Sequence, residues 1–161
     1  MLVTDYTSYA DVRAALGVSS EDVEDATLAL DLDANLLESD LEDVNSSVPS
    51  TYDTTKVLPT PTADETRFLK ACQVFATFSV ARQLTASLPL FAAKQTTDSK
   101  AGVQRFDNPY KDTIKALEAQ YEKAKARLAA TYATVTTTTT TTTTRTWFSV
   151  VPPASDPVTG T

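Results

Sequence analysis

The 161-residue sequence predicts an all-α fold, a small helical bundle of three principal helices plus one short N-terminal helix. Apolar residues recur at spacings of three and four in three long stretches, which is the period of one helix face. These stretches, and the short one before them, also begin with residue types that cap helix N-termini, namely Ser8, Ser19, Thr62 and Asn108.

The short N-terminal helix is predicted over residues 8–16. Ser8, followed three residues later by Asp11, resembles a capping box, in which two side chains satisfy backbone N–H groups of the first turn. Gly17 follows the last helical residue, and glycine suits the left-handed conformation of a helix C-cap. The helix is therefore expected to end at Leu16.

A long second helix is predicted from Ser19 to about Asn45. Ser19 and Asp22 have the spacing of another capping box, and the apolar residues keep spacings of threes and fours after the first turn. At ~1.5 Å per residue, such a helix is on the order of 40 Å long. Its predicted apolar stripe consists of Val23, Leu30, Ala34, Leu37, Leu41 and Val44.

A crossover loop and a buried helix are predicted next. Residues 45–61, NSSVPSTYDTTKVLPTP, are rich in Pro, Ser and Thr and are interpreted as the loop. Thr62 and Glu65 then form a capping box before RFLKACQVFATFSVARQL, a stretch with almost no polar face that belongs at the centre of a bundle. This helix is expected to end before Pro89. Residues 89–107 are predicted to form an insertion, either a hairpin turning near DSKAG or a loop.

The last principal helix is predicted to begin with Asn108 as N-cap and Pro109 at the first helical position. Nine consecutive threonines, residues 136–144, come after it. Threonine is β-branched, a poor helix former and a good strand former, so this run is predicted to end the helix and hold the chain extended. The predicted domains are a helical bundle, residues 1–134, and a Thr-rich extended C-terminal arm, residues 135–161.

The composition argues against most enzyme classes. With one cysteine, no histidine and three glycines, the chain lacks the usual zinc ligands, the His of a Ser-His-Asp or Cys-His site, and the glycines of a phosphate-binding loop. We therefore predict no catalytic residues, no metal and no cofactor. No apolar run approaches the ~18 residues of a membrane span, and the N-terminus does not resemble a signal peptide, so the expected compartment is the cytosol.

Charge is distributed unevenly along the chain. Residues 1–55 hold thirteen acidic residues and one basic residue, a net charge of −12, whereas the remainder holds thirteen basic and eight acidic residues, a net charge of +5. This asymmetry predicts one acidic and one mildly basic region. The candidates for an acidic exposed surface, part of it facing a lumen, are Glu21, Asp22, Glu24, Asp25, Asp31, Asp33, Glu38 and Asp40.

Two motifs within this acidic region have alternative interpretations. Residues 13–23, RAALGVSSEDV, loosely fit a DNA-binding helix-turn-helix, but its recognition helix would begin with acidic residues that repel phosphate, so a corner between two packed helices is favoured. Residues 31–42, DLDANLLESDLE, place oxygen ligands at several EF-hand positions, but Leu36 occupies the glycine position. Because helical apolar spacing continues through that segment, we interpret it as a solvated helix face.

The C-terminal arm contains an aromatic segment, RTWFSVVPP, with the only tryptophan of the chain. An aromatic anchor at the end of an extended reach is typical of segments that add to a neighbouring protein. The candidate docking residues are Arg145, Trp147, Phe148, Val150 and Val151, on an adjacent subunit or on another protein of the assembly. The alternative is a disordered tail.

The order of these features resembles a tailed-bacteriophage head-to-tail connector (adaptor) protein over residues 5–133. The features are a short helix ending ALGV, a long acidic helix, a Pro-rich crossover, a buried apolar helix, and a 19-residue insertion before NPYKDTIKALEAQYEKAKARLAA. The resemblance implies a homo-oligomeric ring, usually of twelve copies, bound to the portal protein with a tail or nozzle protein below. It also implies DNA passage through the lumen, without sequence-specific binding, and a location in the virion neck after assembly from the host cytoplasm.

Two other classes remain open at the level of sequence. A small acidic cytosolic binding module, scaffold or antitoxin-like, would use the acidic helix to bind a partner. A surface protein with an O-glycosylated threonine stalk would require a signal peptide, which is not evident.

Overall fold

The computed structural model describes residues 2–85 and 111–143, and this part of the chain is a helical bundle without strands, which confirms the all-α prediction. A 3-10 turn, Val3–Asp5, precedes the α-helices. They are α1 (Tyr9–Leu16), α2 (Asp25–Leu28), α3 (Asp31–Val44), α4 (Val48–Lys56), α5 (Ala63–Leu84) and α6 (Lys111–Thr143).

Helix α1 has the predicted ends. The Ser8 hydroxyl accepts a hydrogen bond from the Asp11 N–H at 3.1 Å. Gly17 adopts φ 71°, and the next N–H, that of Val18, donates to the Arg13 carbonyl at 3.1 Å. Both caps are local hydrogen-bond patterns, which explains why a few residues of sequence were enough to predict them.

The predicted long second helix is wrong, because the chain forms α2 and α3 instead. Asp22 accepts hydrogen bonds from the N–H and hydroxyl of Ser19, which closes a turn, and Leu30 adopts the extended values φ −66° and ψ 136°. Val23 and Leu28 are both buried, yet five residues apart they would lie on different faces of one helix. Interrupting the helix buries both, and it leaves Leu30, a member of the predicted stripe, 53% exposed.

The predicted crossover loop is also wrong in part, because Val48–Lys56 forms helix α4. Pro49 stands in its first turn, where a missing N–H costs nothing. The Tyr52 ring stacks on Tyr6 with centroids 4.2 Å apart, and its hydroxyl donates to the Asp5 carbonyl at 2.8 Å. These tertiary contacts stabilise a helix whose Ser and Thr content disfavours it locally.

Helix α5 lies at the centre of the bundle, as predicted, and packs against α1, α3, α4 and α6. The Thr62 hydroxyl accepts from the Glu65 N–H, and a Glu65 carboxylate oxygen accepts from the Thr62 N–H at 2.7 Å, so the predicted capping box is confirmed. The helix ends at Leu84. The predicted insertion at 89–107 and the predicted start of the last helix lie outside the described residues.

Helix α6 has 33 residues and is about 50 Å long. It runs along α5, where Tyr121 packs against Phe75 with ring centroids 5.4 Å apart and Tyr132 against Phe68 at 6.1 Å. The sequence predicts an apolar stripe on this helix, formed by Tyr110, Ile114, Leu117, Tyr121, Ala124 and Leu128. The core buries four of these residues, Leu117, Tyr121, Ala124 and Leu128, which confirms the stripe for that part of the helix.

The threonine run does not end α6, so the predicted extended conformation is wrong for residues 136–143. Val135 is only 7% exposed and packs with the core, so α6 also crosses the predicted boundary after residue 134. The hydroxyls of Thr136 and Thr137 donate to the carbonyls of Tyr132 and Ala133, at 3.0 and 2.7 Å. Adding residues to an existing helix needs no new nucleus, so a packed helix can extend into a sequence of weak helix formers.

Candidate functional site

An acidic surface lies along the turn before α2, along α2, and at the start of α3. We define it by five acidic residues, all exposed, which are Glu21, Asp22, Glu24, Asp25 and Asp31. They were all predicted as exposed from the sequence. Because these residues lie on α2, on the turn before it and on the start of α3, the bundle presents several negative charges within about ten consecutive residues.

Two members of the acidic surface also hold its backbone in place. The Ser19 N–H and hydroxyl donate to Asp22, and these bonds lower the pKa of the Asp22 carboxyl, which keeps it ionised. Arg13, the one basic residue among residues 1–55, forms an ion pair with Asp25 and donates from Nε to the Val23 carbonyl at 2.7 Å. The Arg13 side chain is 12% exposed, so it ties α1 to the turn before α2.

Two of the predicted surface acids belong to the bundle interior instead. Asp33 is 7% exposed, and its Oδ2 has no hydrogen-bond partner. Asp40 is half-buried, and its carboxylate accepts a hydrogen bond from the Ser79 hydroxyl at 2.5 Å and lies 3.6 Å from Arg82. Glu38 is partly exposed. In a helix packed on one side, only the outward residues can contribute charge to a lumen or a partner.

Asp40 belongs to a polar network that joins three helices. Ser79 and Arg82 come from α5, and the Arg82 guanidinium lies 4.0 Å above the Tyr121 ring of α6. Gln83 donates to the Ser79 hydroxyl at 3.3 Å. A charge paired in this way fixes the relative positions of α3, α5 and α6, so the network is structural.

Asp33 gives a stability prediction. Burial raises the pKa of its carboxyl, so folding favours the protonated form of Asp33. The stability that this preference contributes is fully present below the pKa of the unfolded chain. It is lost as pH rises through the pKa of the folded state. At neutral pH the Asp33→Leu variant should therefore be more stable by about 1–2 kcal/mol in urea unfolding, with a smaller gain in acid. Asp31→Leu, at an exposed site, is the control; equal effects at both sites would contradict the assignment.

The described segments offer little to nucleophilic or metal chemistry. Cys72 is fully buried, and burial raises the pKa of its thiol to about 12, which keeps it protonated at neutral pH. Within residues 2–85 and 111–143, no group of three or more acidic or cysteine side chains is placed to hold a metal ion. Asp31–Val44 is a continuous helix, which confirms the helical interpretation of residues 31–42.

The structure does not form the recognition helix that the helix-turn-helix alternative requires. A recognition helix would begin near Glu21, but residues 19–22 form a turn and α2 is only four residues long. The corner after α1 is therefore a tight connection within the bundle. As for membranes, none of the helices in the described part of the chain has the length and apolar character that a bilayer crossing requires.

One surface feature was missed by sequence reasoning, a groove of about 430 Å³ between α4 and α6. It could not be foreseen because one wall was predicted as loop and the other as extended arm. Val57, which precedes the lining residue Leu58 in the chain, is 78% exposed. The residues lining this α4–α6 groove are Thr51, Thr54, Thr55, Leu58, Glu65, Val135 and Thr136.

A second apolar feature lies on α3, where Leu32 and Leu36 are 63% and 41% exposed one turn apart. The docking candidates Arg145, Trp147, Phe148, Val150 and Val151 lie outside the described residues.

Comparisons of this chain with protein-family models, with curated proteins and with solved structures gave no match.

Proposed function

We propose that the protein is a structural component of a tailed-bacteriophage neck, which forms a ring between portal and tail and conducts DNA. The observation that supports this proposal best is the exposed acidic surface, carried by a rigid helical bundle. The role needs no catalytic group. It requires a fold that assembles with copies of itself and with the portal and tail or nozzle proteins, in the virion neck.

The acidic surface suits a channel for DNA. Proteins bind duplex DNA mainly by neutralising phosphates with Lys and Arg, which releases condensed counterions. A channel that lets a duplex slide must avoid firm phosphate contacts. Five exposed carboxylates, with Arg13 as the single basic residue in the first 55, repel phosphate instead. Around a ring, about twelve copies would line the lumen with such charges, as the resemblance implies.

We predict that reversing three surface charges hinders DNA passage without unfolding the protein. Glu21, Glu24 and Asp31 are exposed, and changing all three to Lys leaves the Asp22 turn and the Arg13–Asp25 ion pair intact. Each change should alter the free energy of unfolding by no more than about 1 kcal/mol. Particles carrying the variant should assemble but release their genomes more slowly, and the free protein should gain salt-sensitive DNA binding.

The matched control reverses three exposed acids on α6, Asp112, Glu118 and Glu122, and so changes the net charge equally. Only the first variant should slow release, because the proposal assigns only the acidic surface to the lumen. Normal genome ejection by the Glu21, Glu24 and Asp31 variant, in particles shown to contain it, would refute the lumen assignment.

A second candidate is a small acidic cytosolic binding module, scaffold or antitoxin-like. The exposed Leu32 and Leu36 beside Asp31 favour it, since an apolar and acidic helix face can bind a partner protein. Light scattering after size-exclusion chromatography, with and without portal protein, separates the candidates. A ring gives a large oligomer, whereas a module remains a monomer or dimer in both conditions.

A further inference from the structure

The α4–α6 groove, with a volume of about 430 Å³, has room for part of a peptide. Four threonines line it together with Leu58 and Val135, and Val57, which precedes Leu58 in the chain, is largely exposed. Leu58 itself is 41% exposed, although it is a large apolar residue. A concave apolar surface left open to water gains free energy when an apolar segment covers it.

The chain carries one segment that matches this groove. Residues 145–151, RTWFSVV, contain the only tryptophan next to Phe148, and two valines follow. Arg145 is the only charged residue between 135 and 155, and Glu65 is the only charged residue among those that line the groove. The segment and the groove therefore agree in apolar character and in the sign of their single charges.

The geometry of α6 favours a groove on another molecule. From Thr136, which lines the groove, the helix continues to Thr143 and carries the chain about 10 Å away. Returning to the same groove would require a reversal within residues 144–146, Thr-Arg-Thr, which lack the residues that favour tight turns. Reaching a second copy placed ahead of the helix requires no reversal.

We propose that the α4–α6 groove of each copy binds residues 145–151 of a second copy, with Trp147 against Leu58 and Arg145 near Glu65. This inference rests on the proposed ring, and it names the contact that joins neighbouring copies. Each molecule then carries both halves of a head-to-tail interface, the kind of contact that closes into a ring when the rotation between copies permits.

The test uses two variants that each remove one half of the contact. Deleting residues 145–161 leaves all described residues and the groove in place. Leu58→Lys removes an apolar contact, places a positive charge near Arg145, and should weaken binding about tenfold or more. By light scattering the wild-type chain should form large oligomers, each variant alone should remain monomeric, and an equimolar mixture should form one-to-one dimers that do not grow.

Tryptophan fluorescence gives an independent readout, because in that mixture only the Leu58→Lys chain contains Trp147. Its emission should move to shorter wavelength on mixing, as the indole leaves water. The matched control is Leu36→Lys, the same substitution at a leucine that is also 41% exposed, and it should associate like the wild type.

Four results would overturn the inference: a wild-type chain that stays monomeric, a mixture that forms no dimer, a Leu58→Lys chain that associates normally, or a Trp147 that is already buried in the dilute monomer. The last would place the segment in its own groove, and loss of association in Leu36→Lys alone would place the interface on α3.

Imaging of virions tests the proposed function independently of the groove. A neck ring built from Leu58→Lys copies would preserve that function and reject the groove, whereas necks that lack the wild-type protein would reject the function.

Discussion

The Asp40→Lys variant is expected to lose about 3–5 kcal/mol of unfolding free energy, because it breaks a half-buried ion pair and leaves like charges in contact. The Asp40 side chain is 15% exposed, accepts from a Ser79 hydroxyl that is fully buried, and lies 3.6 Å from Arg82. A lysine there would face the Arg82 guanidinium. Since small domains have only about 5–15 kcal/mol of stability, urea unfolding followed by circular dichroism should show a large loss.

Asp31→Lys is the matched control for this prediction. It is the same substitution on the same helix, α3, but at an exposed residue of the first turn, where losing the interaction with the helix dipole costs about 0.3–1 kcal/mol. Comparable losses in the two variants would show that Asp40 is not part of the network. Coupling between Asp40→Ala and Arg82→Ala in a double-mutant cycle isolates the ion pair from other effects of the substitutions.

Truncating Phe75 to alanine is expected to cost about 3–5 kcal/mol, through lost apolar burial and the cavity that remains. Phe75 is fully buried at the centre of α5, and its ring packs against Tyr121 of α6. The loss should appear as a lower urea midpoint with an unchanged slope, since the native surface stays nearly the same. It should also weaken the contact between the two longest helices, α5 and α6.

Val74→Ala is the control on the neighbouring residue. Val74 is 38% exposed, so its truncation should cost less than about 1 kcal/mol. If Val74→Ala proved as destabilising as Phe75→Ala, the orientation of α5 in the bundle would be wrong. The sequence did not separate these two residues, because both belong to a stretch with almost no polar face.

Charge and composition were the sequence features from which function could be predicted. The excess of acidic residues before residue 55 predicted an acidic exposed surface, and five of the eight candidate acids are exposed. Asp33 and Asp40 could not be separated from Asp31 by sequence, since all three are aspartates on the same helix. The burial of Asp40 depends on α5 and α6, which lie far away along the chain.

The α4–α6 groove was beyond sequence reasoning for a related reason. Its walls come from residues 51–58 and 135–136, which are about eighty positions apart and become neighbours only through the path of the bundle. A groove is a property of two elements at once. No local pattern in either element indicates that it exists.

The sequence by itself determined the helix ends at Ser8, Gly17 and Thr62, the central position of the apolar α5 and the apolar face of α6, because capping bonds, local composition and helical periodicity involve residues within a few positions of each other. The tertiary structure decided the interruption at Leu30, where burying both Val23 and Leu28 outweighs one continuous helix. It also decided that α4 and the threonine run become helical. In both, packing contacts and an existing helix supply free energy that exceeds the weak opposing preference of Ser and Thr.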